Sequence, residues 1–140
     1  MSMQKIKVEL ETYLNNNITD IAIKWSNTST YSLNSTTLTQ DEVNSLNEFL
    51  EPFMIAISED REEMSSSTPF KYKAFFQISI YTRVGTATGK MFATLNRLNK
   101  LFKEKNINDV WCERVETLGS FEQGQFLVTP FRIVCSVWSD

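Results

Sequence analysis

Residues 70–81 read Phe70-Lys71-Tyr72-Lys73-Ala74-Phe75-Phe76-Gln77-Ile78-Ser79-Ile80-Tyr81. In an extended chain successive side chains point to opposite faces. Phe70, Tyr72, Ala74, Phe76, Ile78 and Ile80 then share one face, and Lys71, Lys73, Gln77 and Ser79 the other, with Phe75 as the exception. This alternation predicts a long β-strand with one apolar side. Such a side needs a cover, and the next segment supplies it. Past a turn punctuated by Gly85 and Gly89, the residues Ala87, Met91, Leu95, Leu98 and Phe102 recur at helical spacing. At ~100° per residue they fall within an arc of roughly 80°. Lys90, Arg97, Lys100 and Lys103 lie off that arc, which predicts an amphipathic helix over 87–104.

Upstream, Met3, Ile6, Leu10, Tyr13 and Leu14 predict a first helix over 3–16, which Asn15, Asn16 and Asn17 end. A short strand follows at 21–25. Eleven of the fourteen residues 26–39 are Ser, Thr or Asn, which predicts an extended surface arm. Thr39-Gln40-Asp41-Glu42 matches a capping box, and Val43, Leu46, Phe49 and Leu50 continue at helical spacing. A short helix ending before Pro52 is expected there. Phe53–Ser58 reads as an apolar strand, and 59–69 as a charged, flexible loop. Strands near 109–117 and 125–138 close the chain, with Pro130 marking an edge or a bulge because it has no N–H to donate. The expected fold is α+β: a mixed or antiparallel sheet of about five strands, two main helices on one face, and a long extended arm.

The chain has 140 residues, 14 Lys and Arg against 17 Asp and Glu, two Cys and no His. That is the size of one domain, expected to span 1–140. Without histidine there is no Ser-His-Asp or Cys-His catalysis. The net charge of −3 disfavours tight duplex binding, which draws on a basic excess. Cys112 and Cys135 form no CxxC pattern, and two thiolates cannot close a four-ligand zinc site. They read as small buried hydrophobes in neighbouring strands, with a disulfide left open. No apolar run suits a signal peptide or a membrane span, so folding in a reducing cytosol is expected. The glycosylation-type triplets at Asn17, Asn27 and Asn34 are then chance products of that composition.

Three constellations invite a chemical reading. Gly85-Thr86-Ala87-Thr88-Gly89-Lys90-Met91 stands where a P-loop would, between strand and helix. A P-loop needs four residues between its glycines and a hydroxyl after the lysine; here there are three, and Met91 follows. A capped turn is the better reading. Glu113, Glu116 and Glu122 define no cleft for acid–base work. Trp25, Trp111 and Trp138 suit core or interface anchors better than ligand stackers. No catalytic, cofactor-binding or metal-ligating residue is assigned.

Charge is unevenly placed. Asp41, Glu42, Glu48, Glu51, Glu59, Asp60, Glu62 and Glu63 are opposed within 41–63 by Arg61 alone, whereas Lys90, Arg97, Lys100, Lys103 and Lys105 outnumber Glu104 within 90–105. Two solvated faces is the plain reading. Complementary surfaces in a head-to-tail ring is the functional one.

The order of several short motifs adds a family resemblance. They are Phe75-Phe76-Gln77-Ile78-Ser79-Ile80-Tyr81, the Gly85–Gly89 turn, the helix ending Leu101-Phe102, and Thr129-Pro130-Phe131-Arg132-Ile133 before Trp138. With Ile23-Lys24-Trp25-Ser26-Asn27 ahead of the arm, the chain resembles the tail terminator (tail-completion) proteins of long-tailed bacteriophages. The resemblance spans most of the chain and departs most at 28–66, where family members often carry a Pro-rich segment. It implies a virion protein without enzymatic activity. Such a protein forms a homohexameric ring at the head–tail junction after folding in the host cytoplasm. The ring caps the major tail tube, stops its polymerisation and meets the head connector. Genomic DNA passes through it without sequence-specific binding, and neither cofactor nor membrane is involved. Glu59, Asp60, Glu62, Glu63, Lys90, Arg97 and Lys100 are the expected subunit or ring-to-ring contacts. Another neck component, a head-completion or head–tail connector protein, is the nearest alternative. A nucleotide-binding enzyme built on Gly85–Lys90 and a monomeric host-directed interaction protein are more remote.

Overall fold

The computed structural model describes residues 3–26, 28–61, 70–85 and 88–138. Three helices, α1 (Met3–Asn17), α2 (Gln40–Asn44) and α3 (Thr88–Phe102), accompany nine strands. The strands are β1 (Ala22–Lys24), β2 (Tyr31–Leu33), β3 (Thr36–Thr37), β4 (Glu48–Arg61), β5 (Phe70–Arg83), β6 (Lys105–Ile107), β7 (Val110–Thr117), β8 (Phe121–Gln123) and β9 (Phe126–Trp138). They form one sheet in the order β3-β2-β1-β4-β5-β9-β7-β6, with β8 on the β7 side of β9. Only β1 and β4 run parallel; the other pairs are antiparallel. The fold is therefore α+β on a mixed sheet, with nine strands where about five were expected. Four of the added ones have two or three residues and carry little sequence signal of their own.

The 70–81 alternation holds through the whole sheet. Met54, Phe76, Ile133 and Val115 lie in one cross-strand row, and Ala56, Ala74, Cys135 and Cys112 in the next. Ile6, Leu10 and Leu14 of α1 join Met91, Leu98 and Phe102 of α3 over this face, and all six are buried. Each such side chain gains about 1.5–3 kcal/mol from leaving water. Both main helices thus cover one face, as the periodicities require. The two cysteines sit directly opposite one another, both free and buried. Burial pushes each thiol up to about 12.

Three expectations are corrected. The Ser/Thr stretch is a β-hairpin rather than an arm. Asn34 and Ser35 both take positive φ, as a two-residue hairpin turn demands, and β2 pairs with β1. Trp25 Nε1 donates to Ser32 Oγ at 2.9 Å, so even this polar ribbon is pinned to the body. The second helix is shorter than its apolar spacing suggested. The capping box is present, Thr39 and Glu42 each accepting the other's backbone N–H, but α2 stops at Asn44. Phe49 and Leu50 belong to β4, because Glu48 already pairs with Thr82 of β5. Finally, β4 extends through Glu59, Asp60 and Arg61, which pair with Tyr72, Lys71 and Phe70, so the expected loop starts later. The rest of that loop, 62–69, and Thr86 and Ala87 of the glycine turn lie outside the described residues.

The two strand prolines sit where they remove no needed bond. Pro52 follows the last β1–β4 pair, Ile23 with Leu50. Pro130 lies where β9 passes from β7 to β8, and its carbonyl accepts from Leu118 N at 2.9 Å.

Candidate interaction surface

The second face of the sheet carries neither main helix; the short α2 stands at one end of it, where Gln40, Val43 and Asn44 border Phe49, Arg83 and Phe126. Strand register places Phe49, Tyr81, Val128 and Phe121 in one row across it, Phe53, Gln77, Arg132 and Glu116 in another, and Ile55, Phe75, Val134 and Arg114 in a third. Water reaches this face unevenly. Ile55 is 38% exposed, Trp111 41%, Phe121 49% and Trp138 49%. These are four of the seven large hydrophobic side chains that stand exposed among the described residues. Their concentration on one side matters more than their number, since scattered exposed apolar groups are ordinary.

Aromatic contacts order one end of the face. Phe49 stacks on Tyr81 at 4.4 Å, and Phe126 meets Phe49 edge-on at 5.2 Å. The Tyr81 hydroxyl donates to Glu51 Oε1 at 2.9 Å, and Lys24 holds the other carboxylate oxygen at 3.3 Å. Burial, then the Glu51 carboxylate, pushes the Tyr81 phenol up to about 12, so it stays a neutral donor. Arg83 stacks over Phe126 at 4.9 Å. Its guanidinium donates to the carbonyls of Asn44 and Leu46, which closes the C-terminal end of α2. Phe75, the exception in the 70–81 pattern, has a reason to be on this side: the Arg132 guanidinium lies over its ring at 4.5 Å.

At the opposite end a depression of about 390 Å³ is lined by Lys5, Lys71, Asn106, Asp109, Trp111, Ser136, Val137 and Trp138. Lys71 sits over the Trp138 ring at 5.5 Å, and Lys5 reaches Asp109 at 3.7 Å. Two exposed indoles with lysines beside them suit contact with a protein surface, an apolar body with a charged rim.

The described residues singled out for charge lie on two elements, α3 and β4. Lys90 and Lys100 are exposed on α3. Arg97 is engaged within its own chain, with Nη1 2.9 Å from Asp20 Oδ2. Glu59 and Asp60 lie at the far end of β4, and Glu62 and Glu63 lie outside the described residues. The acidic run 41–63 is likewise divided. Glu42 closes the capping box, Glu51 meets Tyr81 and Lys24, and Glu48 accepts from Thr94 Oγ1 at 2.8 Å. Burial raises the Glu48 carboxyl above its ordinary value, against the opposing pull of Thr94 and Lys90. Of the three carboxylates weighed for acid–base work, Glu116 is tied to Arg114 at 3.3 Å and Glu122 is exposed on β8. Among the described residues no group of three His, Cys, Asp or Glu side chains is placed to hold a metal ion. Gly85 takes φ +96 at the strand-to-helix turn, and Met91, one residue past Lys90, is buried in the core. No helix of the described residues is long and apolar enough to cross a membrane.

Neither a family model nor a curated protein matches this sequence. The fold does recur: six solved chains match it. One superposes with a TM-score of 0.67 over 98% of this chain and 96% of its own, at 14% sequence identity. At that identity the likeness carries the architecture and nothing about function.

Sequence reasoning missed Ile55 and Phe121 as surface residues. Ile55 falls inside the apolar run Phe53–Ser58, where a strand buried on both faces reads the same. Phe121 sits in a turn whose short β8 has no periodicity to read.

Proposed function

We propose that this chain is a structural subunit that closes into a ring with copies of itself, a tail terminator at the head–tail junction of a long-tailed phage. The observation that carries the proposal is the sheet face that neither main helix covers, with Ile55, Trp111, Phe121 and Trp138 exposed on it. Exposed apolar side chains gathered on one side of a sheet are a recognised mark of protein–protein contact. Aromatic residues supply much of the energy at such contacts. The α+β architecture agrees with the motif order that suggested the family. Lys90 and Lys100 are exposed and can steer one copy onto the next, whereas Arg97 first serves its own chain. A chain of net charge −3 has little pull on phosphates, so genomic DNA can slide past it.

Light scattering on purified protein over a rising concentration series, repeated with tail tubes added, tests the reading. A mass of six protomers, alone or on the tubes, is the expected result. A single-protomer mass under every condition contradicts it.

A further inference from the structure

We propose that Cys112 and Cys135 form a site of reversible disulfide formation, a cross-strand bond between β7 and β9 that an oxidising thiol–disulfide pool closes and a reducing one opens. Such a bond needs no ring and holds for the single chain.

Strand register sets the geometry. β6 and β7 are joined by Asn108 and Asp109 alone, and both take positive φ, 49° and 74°, as a two-residue hairpin turn requires. The rung that flanks such a turn exchanges both backbone hydrogen bonds, and the exchange recurs at every second rung. Ile107 with Val110 is an exchanging rung, Asn106 with Trp111 is not, and Lys105 with Cys112 is again. The N–H and C=O of Cys112 therefore point to β6, away from β9. Towards β9, Cys112 faces Cys135 as a non-hydrogen-bonded pair. In pairs of that kind the Cα atoms stand about 4.5 Å apart and the side chains come closest. A disulfide spans Cα separations of about 4.4–6.8 Å, so the pair lies within range, at its short end. A bond formed at the limit of that range is the more easily reduced, which suits a reversible site rather than a permanent staple.

The surroundings permit both states. Both side chains are buried on the helix-covered face, with Ala74 next in their row. The Cys135 thiol donates to the Ala74 carbonyl at 3.3 Å, so in the dithiol form its sulfur leans towards β5. A change of χ1 rotamer carries it towards β7 and gives up only that weak bond. The ladder is weak beside the pair. The register shift leaves Glu113 unopposed on one side, and β6, the outer cover, has three residues. While this corner is closed, burial holds both thiols up at about 12, protonated and inert. Local opening admits the oxidant. The Cys112 thiolate then attacks a sulfur of glutathione disulfide and releases one glutathione thiolate. The Cys135 thiolate attacks the Cys112 sulfur of the mixed disulfide and releases the second. The two protein thiols lose two protons and two electrons, and the electrons reduce the oxidant. One rung away, Trp111 and Ser136 line the depression on the open face, so the bond fixes β7 to β9 beside the candidate surface.

The chain has two cysteines, so oxidation by glutathione disulfide in urea yields a single intramolecular bond, read as a mass lower by two hydrogens. Bridged and dithiol chains, each refolded by dilution, are then compared in urea unfolding. If the native pair accepts the bond, the bridged chain refolds to the parent's circular dichroism and its midpoint lies above the dithiol chain's. Dithiothreitol cancels the difference, and Cys135→Ser gives neither the mass loss nor the rise. A bridged chain that stays unfolded, or whose midpoint is at or below the dithiol chain's, overturns the site. Folded samples begun in either state and held in the same glutathione buffers are expected to converge on one bridged fraction. Samples that keep the state they began in overturn its reversibility.

Discussion

Arg97 of α3 reaches Asp20 in the turn before β1, with Nη1 2.9 Å from Oδ2. The guanidinium hydrogen bond, with its charge, holds the Asp20 carboxyl below its ordinary value. Both groups are substantially exposed, so water and salt screen the pair, and it is worth about 1 kcal/mol or less. Arg97→Glu is accordingly expected to lower stability slightly as well as to alter the surface. Lys100→Glu is the cleaner test of steering, because Lys90 also acts on the partly buried Glu48. The Lys100 variant is expected to keep the parent melting temperature and to slow association at low salt, an effect that fades at high salt. Stopped-flow light scattering at two ionic strengths checks it.

Glu48 gives a pH-dependent prediction. Its folded pKa is raised, chiefly by burial, above the ordinary 4.5. A raised carboxyl favours the neutral form, so its stabilising contribution is complete below pH 4.5 and is lost as pH rises through the folded value. Glu48→Gln keeps an oxygen for the Thr94 hydroxyl and removes the charge. The variant is expected to melt above the parent at pH 7, with the difference vanishing below pH 4.5. Thermal melts across that range decide it.

Phe102 closes the core under both helices. It is fully buried, meets Tyr13 edge-on at 5.3 Å and lies 6.4 Å from the Phe76 ring. Tyr13 in turn donates its hydroxyl to the Leu101 carbonyl at 2.8 Å, which ties α1 to the end of α3. Phe102→Ala leaves a cavity at that junction, and a loss of about 3–5 kcal/mol is expected in urea unfolding.

The face away from the two main helices responds differently. Trp111→Ser with Trp138→Ser removes indoles that are about half exposed, 41% and 49%. The buried half of each contributes about 1–2 kcal/mol. The double variant is expected to unfold at a lower urea midpoint than the parent yet to remain folded, as a single protomer, at concentrations where the parent assembles. Sedimentation and urea unfolding on the same samples separate the two effects.

The long elements were legible because period carries them. The 70–81 alternation, the α1 and α3 stripes and the closing β9 strand all follow from one side being wet and the other dry. The short elements were not, because partners fix them. Residues 31–37 become strands through pairing with β1, although the Asn34-Ser35 turn was a readable hairpin signal. Phe49 and Leu50 fit a helical pattern as well as a strand one, and pairing with Tyr81 and Ile80 decided between them. The candidate surface was half legible. Trp111 and Trp138 drew notice as anchors from the sequence, but which face they share depends on strand register. A charge run does not show where its members point: Glu48 turns to the helix side and Glu51, three residues on, to the open side.

The central claim is that this chain acts by assembling at the end of a tail tube. Electron micrographs of its cognate tail tubes, incubated with purified protein and with tube subunits still in excess, test this most directly. Ring-capped ends and arrested tube length are the predicted result. Bare ends on tubes that keep growing would contradict it.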